Sequence, residues 1–182
     1  VYWAGAWWLT GHAGFPLDDS YIHLQFARNL YEDGLMAFNR GVPSSGSTAP
    51  LYPVLLAGVF FFIRDWFVAS YVLGAVCSLG TAMAVYGILR SWTGRADLAR
   101  WGGLLTVVGI PTVIQAYTGM ESPVYSLFFL GGLWLYGRPR GRVLATIVFG
   151  VCVWLRPEFM LMLPLVAVER MIAARRGGVR PL

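Results

Sequence analysis

The 182-residue sequence has no lysine, two cysteines, two histidines and 13% charged residues. Each shortage excludes something. Cys77 and Cys152 each fall inside an apolar run, with no CxxC and no histidine nearby, which leaves no disulfide scaffold and no structural zinc site to consider. His12 and His23 do not form an HExxH pair, and the chain has neither a GxSxG elbow nor a Walker A loop. The zinc-hydrolase, serine-hydrolase and P-loop ATPase readings therefore lack their motifs. Charge is also too scarce for an ordinary soluble domain of this length, given 57% hydrophobic residues and a mean hydropathy of +0.61. The composition is that of an integral membrane protein.

What basic charge there is comes from 14 arginines, giving a net charge of +5 and a pI of about 9.6. These residues sit in short loops between apolar runs, so they read as topology signals and not as a nucleic-acid surface. The apolar stretches fall at 51–63, 66–89, 101–117, 123–137, 143–155 and 159–172. Residues 1–10, VYWAGAWWLT, read as the tail of a first membrane helix; with no initiator Met, the chain is expected to be a fragment. The run 66–89 matches the ~20 residues a bilayer crossing needs, whereas 51–63 would reach only ~20 Å as a helix.

The fold expected is all-α: a polytopic transmembrane bundle over 66–182, preceded by a periplasmic first loop over 11–65. That loop would carry an amphipathic helix at 20–33 and a short re-entrant or interfacial helix at 51–63. Arginine bookkeeping supports treating 51–63 as non-spanning. Arg90, Arg95, Arg100, Arg138, Arg140, Arg142, Arg170, Arg175, Arg176 and Arg180 then share one face, cytoplasmic by the positive-inside rule. The opposite face collects Asp18, Asp19, Glu121 and Glu158, with Arg156 among its few cations.

Asp18 and Asp19 follow Pro16 at the expected start of the first amphipathic helix, where the helix dipole favours ionised carboxylates. They read either as catalytic acids or as a helix cap, Asp19 or Ser20 being the cap. His23 lies one turn from Asp19 and shares its face. Glu121, in GMESPVY, is a solvated loop acid or a site residue close to the bundle mouth, able to face Asp18 or Asp19. Arg156 and Glu158 flank Pro157 as a snorkelling pair, or Arg156 is a phosphate-binding fork.

The blocks DDSYIHLQFARNL, SSGSTAPLYPVLLAG, GMESPVYSL and LRPEF, in that order and spacing, resemble the GT-C superfamily of membrane glycosyltransferases. They look most like the bacterial branch that includes arabinofuranosyl- and mannosyl-transferases of the cell envelope. Small departures occur at Ser122, where Thr is expected, and at Ala49, where Ser is common. The resemblance implies an enzyme of the bacterial inner membrane with its site on the periplasmic face. It would move a sugar from a polyprenyl-phosphate donor to a glycan or lipid acceptor by inverting displacement. Asp18 and Asp19 match the first-loop acids, one of which acts as general base or holds a divalent cation. His23, Glu121, Arg156 and Glu158 are the expected substrate-binding residues, and a metal, if bound, would lie on Asp18, Asp19 and Glu121. Besides donor, acceptor and membrane lipids, other membrane subunits are expected partners under an alternative reading, a non-catalytic polytopic subunit with a degenerate transferase fold. A transporter is disfavoured because the acids gather at the mouth and not at mid-membrane.

Overall fold

The computed structural model describes residues 14–44 and 46–175. The first-span tail expected at 1–10, Ser45 of the connector, and Arg176 and Arg180 lie outside the described residues. Within them every regular element is helical. Helix α1 covers Asp18–Asp33, α2 Leu51–Phe60, α3 Trp66–Thr93, α4 Ala96–Val108, α5 Ile110–Tyr117, α6 Ser122–Tyr136, α7 Arg142–Leu155 and α8 Met162–Arg175. Short 3-10 turns at Pro139–Gly141 and Pro157–Leu161 precede α7 and α8.

Local chemistry sets most of these boundaries. Helix α1 places Asp18 and Asp19 in its first turn, where unpaired N–H groups favour negative charge, and stops at Gly34 in the left-handed region (φ 69°), whose N–H bonds to Leu30 O. Its N-cap is Leu17, without a side-chain bond, so neither Asp19 nor Ser20 caps it. Ser20 is engaged elsewhere. Helix α3 is capped by the Asp65 carboxylate, which accepts from the backbone N–H of Phe67 and Val68, and it runs on past Arg90 to Thr93 because a cation suits a helix C-terminus. The stretch 101–117, expected as one span, lies in two helices bent by 45°. Gly109 takes an extended ψ of 129° and Pro111 has no N–H to donate, which breaks the ladder there.

Helix α3 is central, packing against α2, α4, α5 and α6, while α6 packs on α7 and α1 on α2. Close approach needs small residues. A Cβ on Gly74 would lie 2.4 Å from Ala116 O of α5, and one on Gly132 would lie 2.7 Å from the Phe149 ring of α7. A core of Ala27, Tyr52, Leu56, Phe60, Ala69, Val124 and Leu155 joins α1, α2, α3, α6 and the end of α7. A second cluster of Phe149, Cys152 and Phe159 lies under Tyr125 and Phe129.

By length and composition α3 is the one helix apolar and long enough to cross a bilayer among the described residues, or one of two if the bent α4–α5 pair counts as a span. The exterior is apolar as well: Val68, Val72, Val76, Leu79 and Met83 of α3, Trp101, Leu104 and Leu105 of α4, and Val143, Ile147 and Trp154 of α7 all face outward. Exposed apolar residues thus recur along three helices.

The Gly74 contact is testable. Gly74→Val is expected to cost about 1–3 kcal/mol through overpacking, seen as a melting point several degrees lower in detergent. Gly58→Ala, where an added Cβ meets nothing within 4 Å, should melt like the parent. Equal melting of all three proteins would refute the close helix contact.

Candidate active site

The site is built around the four-residue turn Thr118–Glu121 that joins α5 to α6. Gly119 lies in the left-handed region (φ 70°) and faces the Phe15 ring so closely that a Cβ would sit 2.4 Å from it, which makes glycine necessary here. The free carbonyls at the end of α5 need partners, and side chains from the two helices before the bundle supply them. Ser20 Oγ donates to Thr118 O at 2.5 Å, and Tyr52 OH donates to Gly119 O at 3.0 Å. Those two bonds dock α1 and α2 onto the bundle at one point.

Glu121, 6% exposed, ends this turn. Arg156 donates to its Oε1 through Nε at 3.0 Å and approaches the same oxygen with Nη2 at 2.8 Å, while Nη2 also donates to Ser122 Oγ at 2.9 Å. On the other side His23 Nε2 stands 3.4 Å from Glu121 Oε2, long for a hydrogen bond but within ion-pair range. The His23 ring, 3% exposed, packs edge-on against Tyr52. Arg156 lies over the Tyr125 ring with 41% of its side chain open to the outside. Two atoms inside the cluster, His23 Nδ1 and Glu121 Oε2, are buried without a hydrogen-bond partner. Buried polar atoms of that kind are uncommon and mark a place where a ligand group or ordered water has a use.

Burial is the largest single influence on the Glu121 carboxyl and raises its pKa. The interaction with His23, its own backbone amide and the charge of Arg156 together outweigh burial and hold the pKa below the ordinary value. The pair is thus an ionised acid fixing a cation.

Of the residues singled out in the sequence, His23, Glu121 and Arg156 come together. Asp18 and Asp19 are exposed in the first turn of α1, just before Ser20, and so stand at the rim of the same junction. Glu121 faces His23 and Arg156. Glu158 is exposed on the 3-10 turn beyond Arg156 and takes no part in the cluster, so Arg156 pairs with Glu121 and not with its sequence neighbour. Tyr52 and Ser20 were missed as site residues. Their signal was a lone hydroxyl in the apolar run LYPVLL and a serine on the buried side of an amphipathic helix.

Among the described residues no three His, Cys, Asp or Glu side chains are grouped to hold a metal ion. Glu121 is already committed to Arg156 and His23. The carboxylates Asp18, Asp19 and Glu121 do not form a preassembled cation site, and the chemistry below is derived without one.

Acid should loosen this cluster. Because the folded pKa of Glu121 lies below its unfolded value of 4.5, its contribution to stability is complete above that pH and is lost as pH falls through the folded value. Melting curves between pH 7 and 3 should show a steeper acid decline for the parent than for Glu121→Gln; parallel declines would refute the coupling. Arg156→Ala, which leaves the buried carboxylate without its cation, is expected to cost about 1–3 kcal/mol at neutral pH.

Comparison with known proteins finds the chain similar to the terminal beta-(1->2)-arabinofuranosyltransferase of Mycobacterium tuberculosis, at 32% identity over 195 aligned positions. The alignment takes in 96% of this chain and 31% of that protein, so the chain spans about a third of the length of the curated relative it matches. No family model matches the chain, and no solved structure matches it. The similarity is to a glycosyltransferase.

Proposed function

We propose that the chain is the catalytic-end portion of a polytopic membrane glycosyltransferase of the GT-C type. It transfers a sugar from a polyprenyl-phosphate donor to an envelope glycan or lipid acceptor, at the periplasmic face of a bacterial inner membrane. The observation that carries this reading is the cluster of buried Glu121 and His23 with half-exposed Arg156, in a chain that opens α1 with two exposed adjacent aspartates and is similar to an arabinofuranosyltransferase. The membrane placement is supported by the apolar exterior and by arginines Arg90, Arg95, Arg100, Arg138, Arg140 and Arg142 near the ends of α3 and α6 opposite Asp65 and Glu121.

In this mechanism Asp18 or Asp19 takes the proton from an acceptor hydroxyl as its oxygen bonds to the anomeric carbon. The bond from that carbon to the donor phosphate oxygen breaks, and its electron pair leaves on the phosphate. A phosphodiester already leaves well, so one base suffices, unlike the two acids a glycosidase needs. Arg156 gives Nε and Nη2 to Glu121 and Ser122 while its side chain stays partly open to the outside, so the guanidinium, fixed by Glu121, can also meet a departing phosphate oxygen. His23 holds the far side of Glu121, and Glu158 flanks the phosphate side at the surface.

The test is sugar transfer by the full-length protein from a panel of polyprenyl-phosphate sugars. Asp18→Asn and Asp19→Asn are each made, and the base among them should lose about 10²–10⁴-fold in kcat. Turnover unchanged in both variants would remove the base assignment. No transfer from any donor by the parent would remove the enzymatic reading.

A further inference from the structure

The two adjacent aspartates do not face the same way. On a helix successive residues are about 100° apart, so Asp19 shares a side with His23 while Asp18 heads the stripe of Tyr21, Gln25 and Arg28. That second stripe is not part of the cluster. Tyr21, Gln25 and Arg28 of that stripe, with Trp66 and Phe67 at the start of α3 and Asn39 of the loop after α1, line a cleft of about 430 Å³, within the range of small-ligand sites, and Asp18 stands one helical turn before Tyr21, beyond that lining.

The cleft is built and not accidental. Its far wall, the loop around Phe38, is pinned to α1 by Asn29 Nδ2, which donates to Ala37 O and Phe38 O at 2.9 Å each, and by Gln25 Nε2, which donates to Phe38 O at 3.3 Å. Phe38 N donates in turn to Ser44 Oγ at 3.2 Å. Arg40 pairs with Glu32 and Asp33 at the end of α1, closing the loop from the other side. The near wall is equally fixed: Tyr21 OH accepts from Phe15 N, its ring packs edge-on against Phe67, and the Arg28 guanidinium lies 5.6 Å over the Trp66 ring. Within this rigid frame the Tyr21 and Phe38 rings stay over two-fifths exposed. Asn39 is exposed, Gln25 keeps its side-chain oxygen, and Arg28 keeps the donors not given to Glu32.

Open aromatic faces beside a carboxamide oxygen, a second amide and a guanidinium are the chemistry that receives a neutral sugar. The C–H faces of the ring lie on the aromatics, and its hydroxyls find both donors and acceptors. The lining is mainly aromatic and aliphatic, as the C–H face of a sugar requires, with polar groups at its edge, and a phosphate would meet only one cation, itself shared with Glu32. We propose that this cleft is the acceptor subsite, which takes one end of a neutral oligosaccharide and brings its hydroxyl to Asp18, while Asp19 stays on the Arg156 side where the donor phosphate lies. The assignment rests on the transferase reading above and divides the two aspartates between the two substrates.

The experiment uses the full-length protein and an octyl arabinofuranosyl disaccharide as probe, with binding followed by saturation-transfer NMR in the absence of donor and transfer followed by steady-state kinetics. Phe38→Ala and Asn39→Ala alter exposed loop positions, and melting curves that match the parent's check that both variants fold. The alanine variants are expected to weaken probe binding and raise the acceptor KM about tenfold, with kcat and the donor KM within about twofold of the parent, a loss of the size of one such contact. Weakened probe binding without transfer from any donor would leave the cleft standing while removing the transferase reading. Transfer with an unchanged acceptor KM in both alanine variants would overturn the cleft and leave the transferase reading intact. No probe binding by the parent, together with unchanged kinetics, would also overturn it.

Discussion

A single buried carboxylate sets the terms for the rest of this structure. An ionised side chain as enclosed as Glu121 is costly unless a cation and further polar groups compensate it. Arg156 comes from the residue after α7 and Ser122 from the first residue of α6, so their shared bonds to one another and to Glu121 fix the register of that hairpin. His23 extends the same constraint to α1. Apolar packing alone would let these helices slide against one another at little cost. A misplaced charge would not.

The backbone beside Glu121 reinforces that constraint by a different route. Helix α5 ends at Tyr117 and leaves carbonyls that cannot be satisfied within the helix. Here the partners come from Ser20 and Tyr52. Left-handed Gly119 turns the chain so that both carbonyls point outward to them. The helices that precede the bundle are thereby positioned by two hydroxyls and one imidazole, and the exposed start of α1 is carried to the rim of the cluster.

Much of the architecture was legible from residue patterns because each helix carries its own local reasons. Apolar runs bounded by Arg, Gly and Pro located α2, α3, α6 and α7 to within a few residues, and the acids before Ser20 with Gly34 after Asp33 located α1. What was not legible came from contacts distant in sequence. Arg156 was read beside Glu158 because they are neighbours in the chain, yet α6 and α7, of 15 and 14 residues, fold back with nearly equal length. Equal arms bring the start of one to the end of the other, which places Arg156 against Glu121, 35 residues earlier. Ser20 looked like a cap because capping is what serine does locally, and its true partner lies 98 residues away. The bend at Gly109 was visible as Gly and Pro two residues apart, but a hydropathy run conceals a break that leaves the composition unchanged.

The charge balance of the site constrains how a donor would be held there. Arg156 is the arginine of the cluster, and Glu121 offsets much of its charge, while Asp18 and Asp19 add two negative groups at the rim. A free anionic sugar phosphate would therefore gain little from electrostatics on approach. A donor attached to a polyprenyl chain does not depend on that attraction, because each buried methylene contributes about 0.8 kcal/mol to membrane partition and raises the local concentration of the head group beside the site. Under the proposed mechanism the guanidinium would be left a narrower task, namely to favour the extra charge that appears on the phosphate oxygen as the bond to the sugar breaks. A half-neutralised, rigidly held arginine suits that task better than a free one, since it favours the departing phosphate over the intact donor instead of holding both equally.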